Sequence, residues 1–467
     1  MDFYELTMAN GYMENGAADK IVYFDMFFRR VPDGGGFAVF AGLEQVIEYL
    51  ENLHFSQEDI EYLRSKNMFS EKFLEYLSDF HFECDVWAVP EGTPVFPGEP
   101  LVTVRGSAVQ AQLIETMLLL SLNHQSLIAT KTSRIVRAAQ GRAIMEFGSR
   151  RAQGVDGAVY GARAAYIAGA AGTACALAEQ EFGVKALGTM AHSWIMLFDD
   201  ELEAFRAYAR VYPDACTLLV DTYSTLKSGV PNAIRVFREL REQGHKNFGI
   251  RIDSGDIAYL SKKARVMLDE AGFPECKIVA SNSLDEYLIR ELLGQGAPLD
   301  SFGVGERLIT GSSEPVFGGV YKLSAVEADG RVIPKIKLSD NVAKITNPAH
   351  KSLWRLYDNE SGKAFADIIT LSDEVIDGAE PYELFDPDYP FKRKTVSNFT
   401  PRRLQERVFE RGVCVYKRPN PTEIRAYCEE ELARIWDEVK RFENPHKYIV
   451  DLSQKLWDIK QKLLFKK

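Results

Sequence analysis

Cysteine is sparse and unpaired in this chain. Six are scattered over 467 residues, Cys84, Cys175, Cys216, Cys276, Cys414 and Cys428, and no two form a Cys-x-x-Cys pair. No group of Cys and His has zinc spacing. A disulfide scaffold and a zinc module are both excluded, and buried free thiols in a reducing compartment are expected. Long apolar runs are also missing. The longest small-and-apolar stretch, Ala158 to Ala178, contains Arg163, and reads as a packed helix and turn, not a membrane span. The opening residues, Met1-Asp2-Phe3-Tyr4-Glu5-Leu6, have neither a basic region nor an apolar core, so no signal peptide is expected. The expectation is a cytoplasmic protein with no membrane partner.

Positive charge is the third scarcity. Acidic side chains number 67 against 56 basic ones, a net charge of -11. That balance argues against a nucleic-acid partner, yet a local basic pocket can still hold phosphates. The Lys-rich tail after Leu463 is expected to be a solvated helix end. The remaining composition is that of an ordinary globular protein, with 46% hydrophobic and 26% charged residues. The length suits two or three domains, or one large barrel with additions.

The chain changes texture along its length. Residues 1 to 110 look mixed. Val22 to Phe28 reads as a strand, followed by Arg29, Arg30 and a Pro-Asp-Gly-Gly-Gly turn. Helices are predicted near 42–53 and 57–66, and short β segments over 82–105. Residues 108–138 carry helical patterns through Ile114, Met117, Leu118 and Leu122. The middle is regular. Short apolar runs recur at 143–147, 185–188, 217–220, 248–252, 277–280 and 299–302, with one helix between most of them. Pro231 suits a first helical turn and Gly244 a stop. Ser283-Leu284-Asp285-Glu286 has the form of a capping box. A strand, a polar turn and a helix repeated every 25 to 32 residues is the βα pattern. It favours a barrel, with a doubly wound sheet as the alternative.

After 318 the pattern turns antiparallel, with strands expected at 318–323 and 334–338 that return to the first lobe. Residues 376–400 look irregular. Two amphipathic helices are expected to close the chain. One has a face of Ile424, Cys428, Leu432, Ile435 and Val439, and the other of Leu452, Leu456, Ile459 and Leu463. The predicted fold class is α/β: an irregular (β/α) barrel, a second α+β lobe built from N-terminal and post-barrel segments, and C-terminal helices. The predicted domains are a lobe over 1–110 joined by about 320–375, a barrel with the active site over 111–319, and a C-terminal segment over 376–467.

The ends of the predicted strands are polar. They read Glu146-Phe147-Gly148-Ser149-Arg150-Arg151, then His192 after an apolar run, then Asp221-Thr222, Arg251-Ile252-Asp253-Ser254-Gly255-Asp256, Ser281-Asn282-Ser283 and Phe302-Gly303-Val304-Gly305. In βα architectures such ends converge on one site. His192 is the side chain titrating nearest neutrality. Gly303 and Gly305 allow close approach of backbone to a ligand, and Ser281, Asn282 and Ser283 add donors, so these two turns read as a phosphate site. No Lys-Ser or Lys-Thr follows, which excludes a P-loop. Asp221, Asp253 and Asp256 suit sugar hydroxyls or magnesium and its waters, with a helix cap as the plain reading of Asp256. Arg251 has the planar fork for a carboxylate. Phe147 beside Arg150 suits a flat anionic ring. A glycosidase pair of Asp221 and Asp253 would leave the phosphate turns and arginines without use.

These segments, together with Asp2-Phe3-Tyr4-Glu5-Leu6-Thr7-Met8 and Gly188-Thr189-Met190-Ala191-His192-Ser193, resemble nicotinate phosphoribosyltransferases over nearly the whole chain. The resemblance implies transfer of a phosphoribosyl group from phosphoribosyl pyrophosphate to nicotinate, giving nicotinate mononucleotide and pyrophosphate. It implies phosphorylation of His192 by ATP, with magnesium accompanying the pyrophosphate; its ligands remain unassigned. It implies a homodimer in which Tyr4 of one subunit stacks the pyridine against Phe147 of the other. Arg150 and Arg251 would lie by the ring and its carboxylate, Asp253 would hold the ribose, and Ser281, Asn282, Ser283, Gly303 and Gly305 the 5′-phosphate. Asp221 or Glu146 would orient the other nitrogen of His192. Arg29 and Arg30 are candidate contacts to anionic substrates, and Lys322 and Lys337 weaker ones.

Thr173 and Ala174 offer no acid where the nicotinamide-type relative would receive an amide, which favours the acid substrate. A quinolinate-type enzyme would not need a phosphorylatable His192, and a nucleotide sensor would not need His192, Arg251 and Asp253 together. Two departures stand out. The chain starts almost at its first motif, where relatives carry several more residues. Glu306 follows Gly305 where a small hydroxyl residue is expected; either it points away from the phosphate or it lowers affinity.

Overall fold

The computed structural model describes residues 1–341 and 344–465. Lys466 and Lys467, the end of the Lys-rich tail, lie outside them. Contacts divide the chain into two compact units, Met1–Leu127 with Val316–Lys467, and Ile128–Pro315.

The second unit is built on six parallel strands: β1 (Ala143–Glu146), β2 (Gly172–Thr173), β3 (Cys216–Leu219), β4 (Phe248–Ile252), β5 (Lys277–Ser281) and β6 (Ser301–Val304). Their order is β2-β1-β6-β5-β4-β3. The first and last of the regular units, β1 and β6, pair directly, from Ala143 opposite Ser301 to Glu146 opposite Val304. That seam sets the first regular strand beside the last, as in a curled half-barrel and not in a doubly wound sheet. The sheet is open between β2 and β3, so the barrel is irregular, as the sequence predicts.

A helix follows each of the six strands, and three of these helices show how the sequence starts them. Pro231 lies in the first turn of Val230–Glu242, where its missing N–H costs no hydrogen bond. Asp256 caps Ile257–Glu270 by accepting from Tyr259 N at 2.9 Å. The helix Glu286–Gly294 is capped by Asp285, which accepts from Tyr287 and Leu288 amides, and not by the predicted Ser283. Ser283 is unsuited to the role because its φ is +50°, outside the extended region an N-cap occupies.

One predicted strand is replaced by another. The run 185–188 forms only a single bridge, Ala186 with Thr173. Thr173 N donates to Lys185 O at 3.0 Å and accepts Leu187 N on its carbonyl at 2.7 Å. Gly172–Thr173, hidden in a small-residue stretch read as helix and turn, is the true strand, because its carbonyls and amides complete β1.

The first unit shows how the chain returns. Gly319–Ala328 pairs antiparallel with Ile21–Phe28, which pairs in turn with Val102–Ser107. Arg331–Pro334 is the hairpin partner, and its ladder ends at Pro334, so the strand expected at 334–338 lies one element earlier. A second sheet runs Phe399–Arg403, Lys351–Asp358, Ala364–Leu371, Ile449–Leu452. The stretch read as irregular contains the hairpin Tyr382–Phe385 with Arg393–Val396. The closing helices are shorter than their apolar faces suggest. Pro421–Arg434 stops before Ile435, and Leu452 belongs to a strand, not to Gln454–Phe465. Ile435 and Val439 are still buried, so the periodicity there reports packing and not helix.

No helix among the described residues is long and apolar enough to cross a membrane. The six cysteines are free, four of them buried.

Candidate functional site

The site is assembled at the carboxyl ends of the parallel strands. Arg251 and Asp253 leave β4 two residues apart, so their side chains project on the same face. Arg251 Nη2 donates to Asp253 Oδ1 at 2.9 Å, and its Nε donates to Ser281 Oγ at 2.8 Å. Ser281 closes the triangle by donating to the same Asp253 oxygen. Nη1 of Arg251 reaches across to Thr189 Oγ1 at 3.2 Å and Met190 O at 3.4 Å. Burial works to raise the Asp253 carboxyl pKa, but the Ser281 hydroxyl, the Arg251 charge and His192 outweigh it, and it is held below the usual carboxylate value.

His192 opens the short helix His192–Met196 in the chain segment between β2 and β3. Its Nδ1 lies 3.1 Å from Thr222 Oγ1, and its Nε2 faces Asp253 Oδ2 at 3.7 Å. The side chain is 39% exposed, enough to meet a substrate. Neither acid expected to orient it does so. Asp221 Oδ2 accepts from Asp253 N at 2.9 Å and Ser254 Oγ at 2.6 Å. Glu146, fully buried, accepts from Thr173 Oγ1 at 2.6 Å and from Gly148 N. Burial raises the Glu146 pKa against the pull of those two hydrogen bonds.

Glu146 thus shapes the loop that presents Phe147. The Phe147 ring lies against Gly303, where a Cβ would come within 2.5 Å of Phe147 Cδ2, so only glycine fits. The Arg251 guanidinium sits over the same ring, 5.7 Å from its centroid. Four of the five Arg251 N–H groups are already directed at Ser281, Thr189, Met190 and Asp253. One remains, too few for the two-pronged carboxylate grip expected of it. Arg150, in the turn Ser149–Arg151, is exposed and makes no hydrogen bond or ion pair within the described residues. Thr173 is closed to ligand: it is fully buried, donating to Glu146 and accepting from Cys175 N at 3.0 Å.

The phosphate-type turns also meet. After Ser281, Asn282 and Ser283 have φ of +83° and +50°. Consecutive left-handed non-glycine residues store strain, a mark of functional loops. Glu306 does not turn away from them. Its Oε1 is 3.5 Å from Ser283 Oγ, and its Oε2 is 3.8 Å from Arg151 Nε. Asp256 is engaged as a helix cap, which leaves Asp221 and Asp253 as the acids facing the site.

Thr222, Thr189 and Ser254 were missed as functional residues in the sequence. Thr222 stands directly after Asp221 at the end of a strand, the only available signal.

Among the described residues, no group of three His, Cys, Asp or Glu can hold a metal. Asp221 Oδ1 is buried without a hydrogen-bond partner. One free carboxylate oxygen fits magnesium held mainly by substrate phosphates and water, not a protein cage.

In the first unit, Tyr4 lies on the helix Phe3–Glu14 and is 44% exposed, with Phe3 and Met8 exposed beside it. Arg29 has a buried Nε without a partner. Lys322 Nζ donates to Tyr321 O at 2.6 Å. Lys337 stands outside any strand.

Three family models match in series: the nicotinate phosphoribosyltransferase N-terminal domain over residues 1–123, the family model over 142–369 and the C-terminal domain over 350–460. The chain is 44% identical over 460 residues to nicotinate phosphoribosyltransferase of Bacillus subtilis, covering 98% of this chain and 93% of that one. It is 31% identical to the Homo sapiens protein of the same description, covering 97% and 94%. The crystal structure of human nicotinic acid phosphoribosyltransferase superposes with a TM-score of 0.88 at 30% identity, covering 99% of both chains.

Proposed function

From the premise that the chain belongs to the nicotinate phosphoribosyltransferase family and is an enzyme of that kind, we propose that it couples phosphoribosyl transfer to ATP through a phosphohistidine at His192. The observation that carries this reading is the pair of neighbours that His192 has. Asp253 stays ionised and faces Nε2, so the proton is favoured on that nitrogen. The Nδ1 lone pair, which accepts from Thr222 at rest, becomes the nucleophile when that hydroxyl rotates off it.

Nδ1 attacks the γ-phosphorus of ATP, the bond to the β,γ-bridging oxygen breaks, and ADP leaves. The proton stays on Nε2 against Asp253. Transfer of the phosphoribosyl group proceeds through an oxocarbenium-like C1 as the bond to pyrophosphate breaks and the nicotinate ring nitrogen bonds to C1. Little covalent work falls to the protein. It holds the ring against Phe147, anchors the 5′-phosphate at 281–283 and 303–305, and fixes the ribose at Asp253. Arg150, uncommitted and exposed, is the carboxylate partner. Arg251 covers the ring and holds Asp253. Hydrolysis of the phosphohistidine completes the cycle and drives it toward product.

Asp221 Oδ1 would help hold magnesium, which when bound neutralises the leaving pyrophosphate. Tyr4, exposed on its helix, supports a homodimer with sites completed by the partner's tyrosine.

The test is pyrophosphate release. Purified protein with phosphoribosyl pyrophosphate and ATP releases it with nicotinate and not with nicotinamide. Equal release with both bases overturns the substrate assignment.

A further inference from the structure

A buried cluster of charge lies within the second unit, apart from the reacting groups. Glu286 is the first residue of the helix Glu286–Gly294, and its side chain is fully buried. Two cations of the long helix Glu115–Ala138 converge on it. Lys131 Nζ donates to Glu286 Oε1 at 3.0 Å, and Arg134 Nε donates to the same oxygen at 2.8 Å. The two cations are three residues apart and so share one face of their helix. Their side chains are only 4% and 3% exposed, so neither meets a substrate. Each has a second hold nearby. Lys131 Nζ donates to Ser313 Oγ at 3.2 Å, and Arg134 Nη2 donates to the Tyr287 hydroxyl at 3.0 Å.

Taking charges out of water is costly, and apolar packing of similar volume stabilises a fold at least as well. Stability alone therefore does not account for the cluster. Its place in the chain does. Glu286 follows directly on Ser281-Asn282-Ser283-Leu284-Asp285. Ser281 is buried against Arg251 and Asp253, and Leu284 is buried, while Asn282 and Ser283 between them are exposed. The left-handed backbone of those two residues, φ +83° and +50°, persists only where the flanking structure enforces it. On the far side of the turn, Arg307 Nη1 holds Asp285 at 2.8 Å, and Lys131 and Arg134 hold Glu286. A turn pinned at both ends has its donors in place before a ligand arrives.

We propose that Lys131 and Arg134 are positioning residues for the phosphoribosyl substrate: through Glu286 they hold Asn282 and Ser283 in the conformation that receives the 5′-phosphate. The inference rests on the reading of 281–283 as a 5′-phosphate turn, and not on the phosphohistidine.

Calorimetric titration of the full chain with phosphoribosyl pyrophosphate and magnesium, beside steady-state kinetics, tests it. Arg134→Met keeps an apolar stem and removes the grip on Glu286. It weakens binding of phosphoribosyl pyrophosphate and raises its KM about tenfold. The kcat and the KM for nicotinate stay within about twofold of the native values. Arg134→Lys, which keeps a cation for Glu286, recovers most of the loss. Lys131→Met leaves Arg134 on Glu286, so it is the milder change and keeps the test readable if Arg134→Met does not fold. It shifts the same constants in the same direction, by about threefold. A lower Tm with native affinity and KM for phosphoribosyl pyrophosphate makes the cluster merely structural and overturns the proposal. An equal rise in the KM for nicotinate overturns it as well. Ser283→Ala separates the proposal from the reading beneath it. If Ser283→Ala weakens phosphoribosyl pyrophosphate binding and the Arg134 and Lys131 variants do not, the positioning claim alone fails. If Ser283→Ala also binds as the native protein does, the 5′-phosphate reading of the turn fails with it.

Discussion

The Nδ1 of His192 lies 3.1 Å from the hydroxyl of Thr222, a residue that follows Asp221 at the end of β3 and carries no charge. An alcohol in this position can hold the ring's orientation and rotate off the imidazole lone pair as a phosphoryl group arrives. The acid that faces the ring, Asp253, sits on the other nitrogen. In the proposed phosphohistidine mechanism this division of labour sets which nitrogen reacts.

Thr222→Val keeps the shape and removes the hydroxyl. The hydrogen bond of about 1 kcal/mol that orients the ring is lost, and with it the ring's alignment for attack, so the rate of His192 phosphorylation is expected to fall about fivefold. Thr222→Ser restores it, and the KM for nicotinate is unchanged in both. Rapid-quench measurement with labelled ATP reads the rate, and an unaltered rate in Thr222→Val removes the role.

Arg150 and Arg251 are separable. Arg150→Gln is expected to raise the KM for nicotinate about tenfold or more with little change in thermal stability, because the side chain is exposed and uncommitted. Arg251→Gln strips Asp253 of its ion pair and lowers both kcat and stability, the latter by ~2 kcal/mol. Calorimetry beside steady-state kinetics distinguishes them. A KM effect confined to Arg251→Gln would reverse the assignment.

Glu306 stands beside Ser283 in the turn proposed to hold the 5′-phosphate, with Arg151 only 3.8 Å away to moderate its charge. Glu306→Ser is expected to lower the KM for phosphoribosyl pyrophosphate about threefold, in keeping with the small worth of an exposed charge. An increase in KM would mean that the carboxylate assists binding through Arg151.

Asp451 makes a pH prediction. Burial, aided by Asp386, pushes its pKa up to about 7 against the pull of the Phe385 amide and Lys447. The folded state therefore binds this proton more tightly than the unfolded state. The resulting stability is fully present below the ordinary carboxylate pKa near 4 and is lost as pH rises through about 7. Asp451→Asn cannot titrate, so its Tm relative to the native protein rises between pH 4 and pH 8 by several degrees. Parallel Tm profiles for the two proteins contradict this.

The βα repeat was legible because its strands are nearly continuous apolar runs such as Phe248 to Ile252, separated by helices with readable caps and stops. The polar strand ends were legible for the same reason: Arg251, Asp253 and Ser281 interrupt apolar patterns that otherwise continue. What was not legible depends on contacts across the sheet. Gly172–Thr173 has no strand signature of its own and exists because β1 needs a neighbour. Ile435, Val439 and Leu452 mimic a helical face while packing from a turn and a strand, since periodicity records burial and not the element that buries. The engagement of Arg251 by four partners and the turn of Glu146 toward Thr173 are tertiary facts. No spacing in the chain encodes them, and both reassign residues: Arg251 from a two-pronged carboxylate grip, Glu146 from orienting His192.

The central claim is the phosphohistidine at His192. Incubation of the native protein with γ-labelled ATP and magnesium, followed by alkaline quench and peptide mapping by mass spectrometry, tests it most directly. The account predicts one acid-labile phosphate per chain on the peptide containing His192, absent in His192→Ala, and discharged when nicotinate and phosphoribosyl pyrophosphate are added. An ATP-dependent shift toward nicotinate mononucleotide that persists in His192→Ala, with no label on that peptide in the native protein, would contradict it.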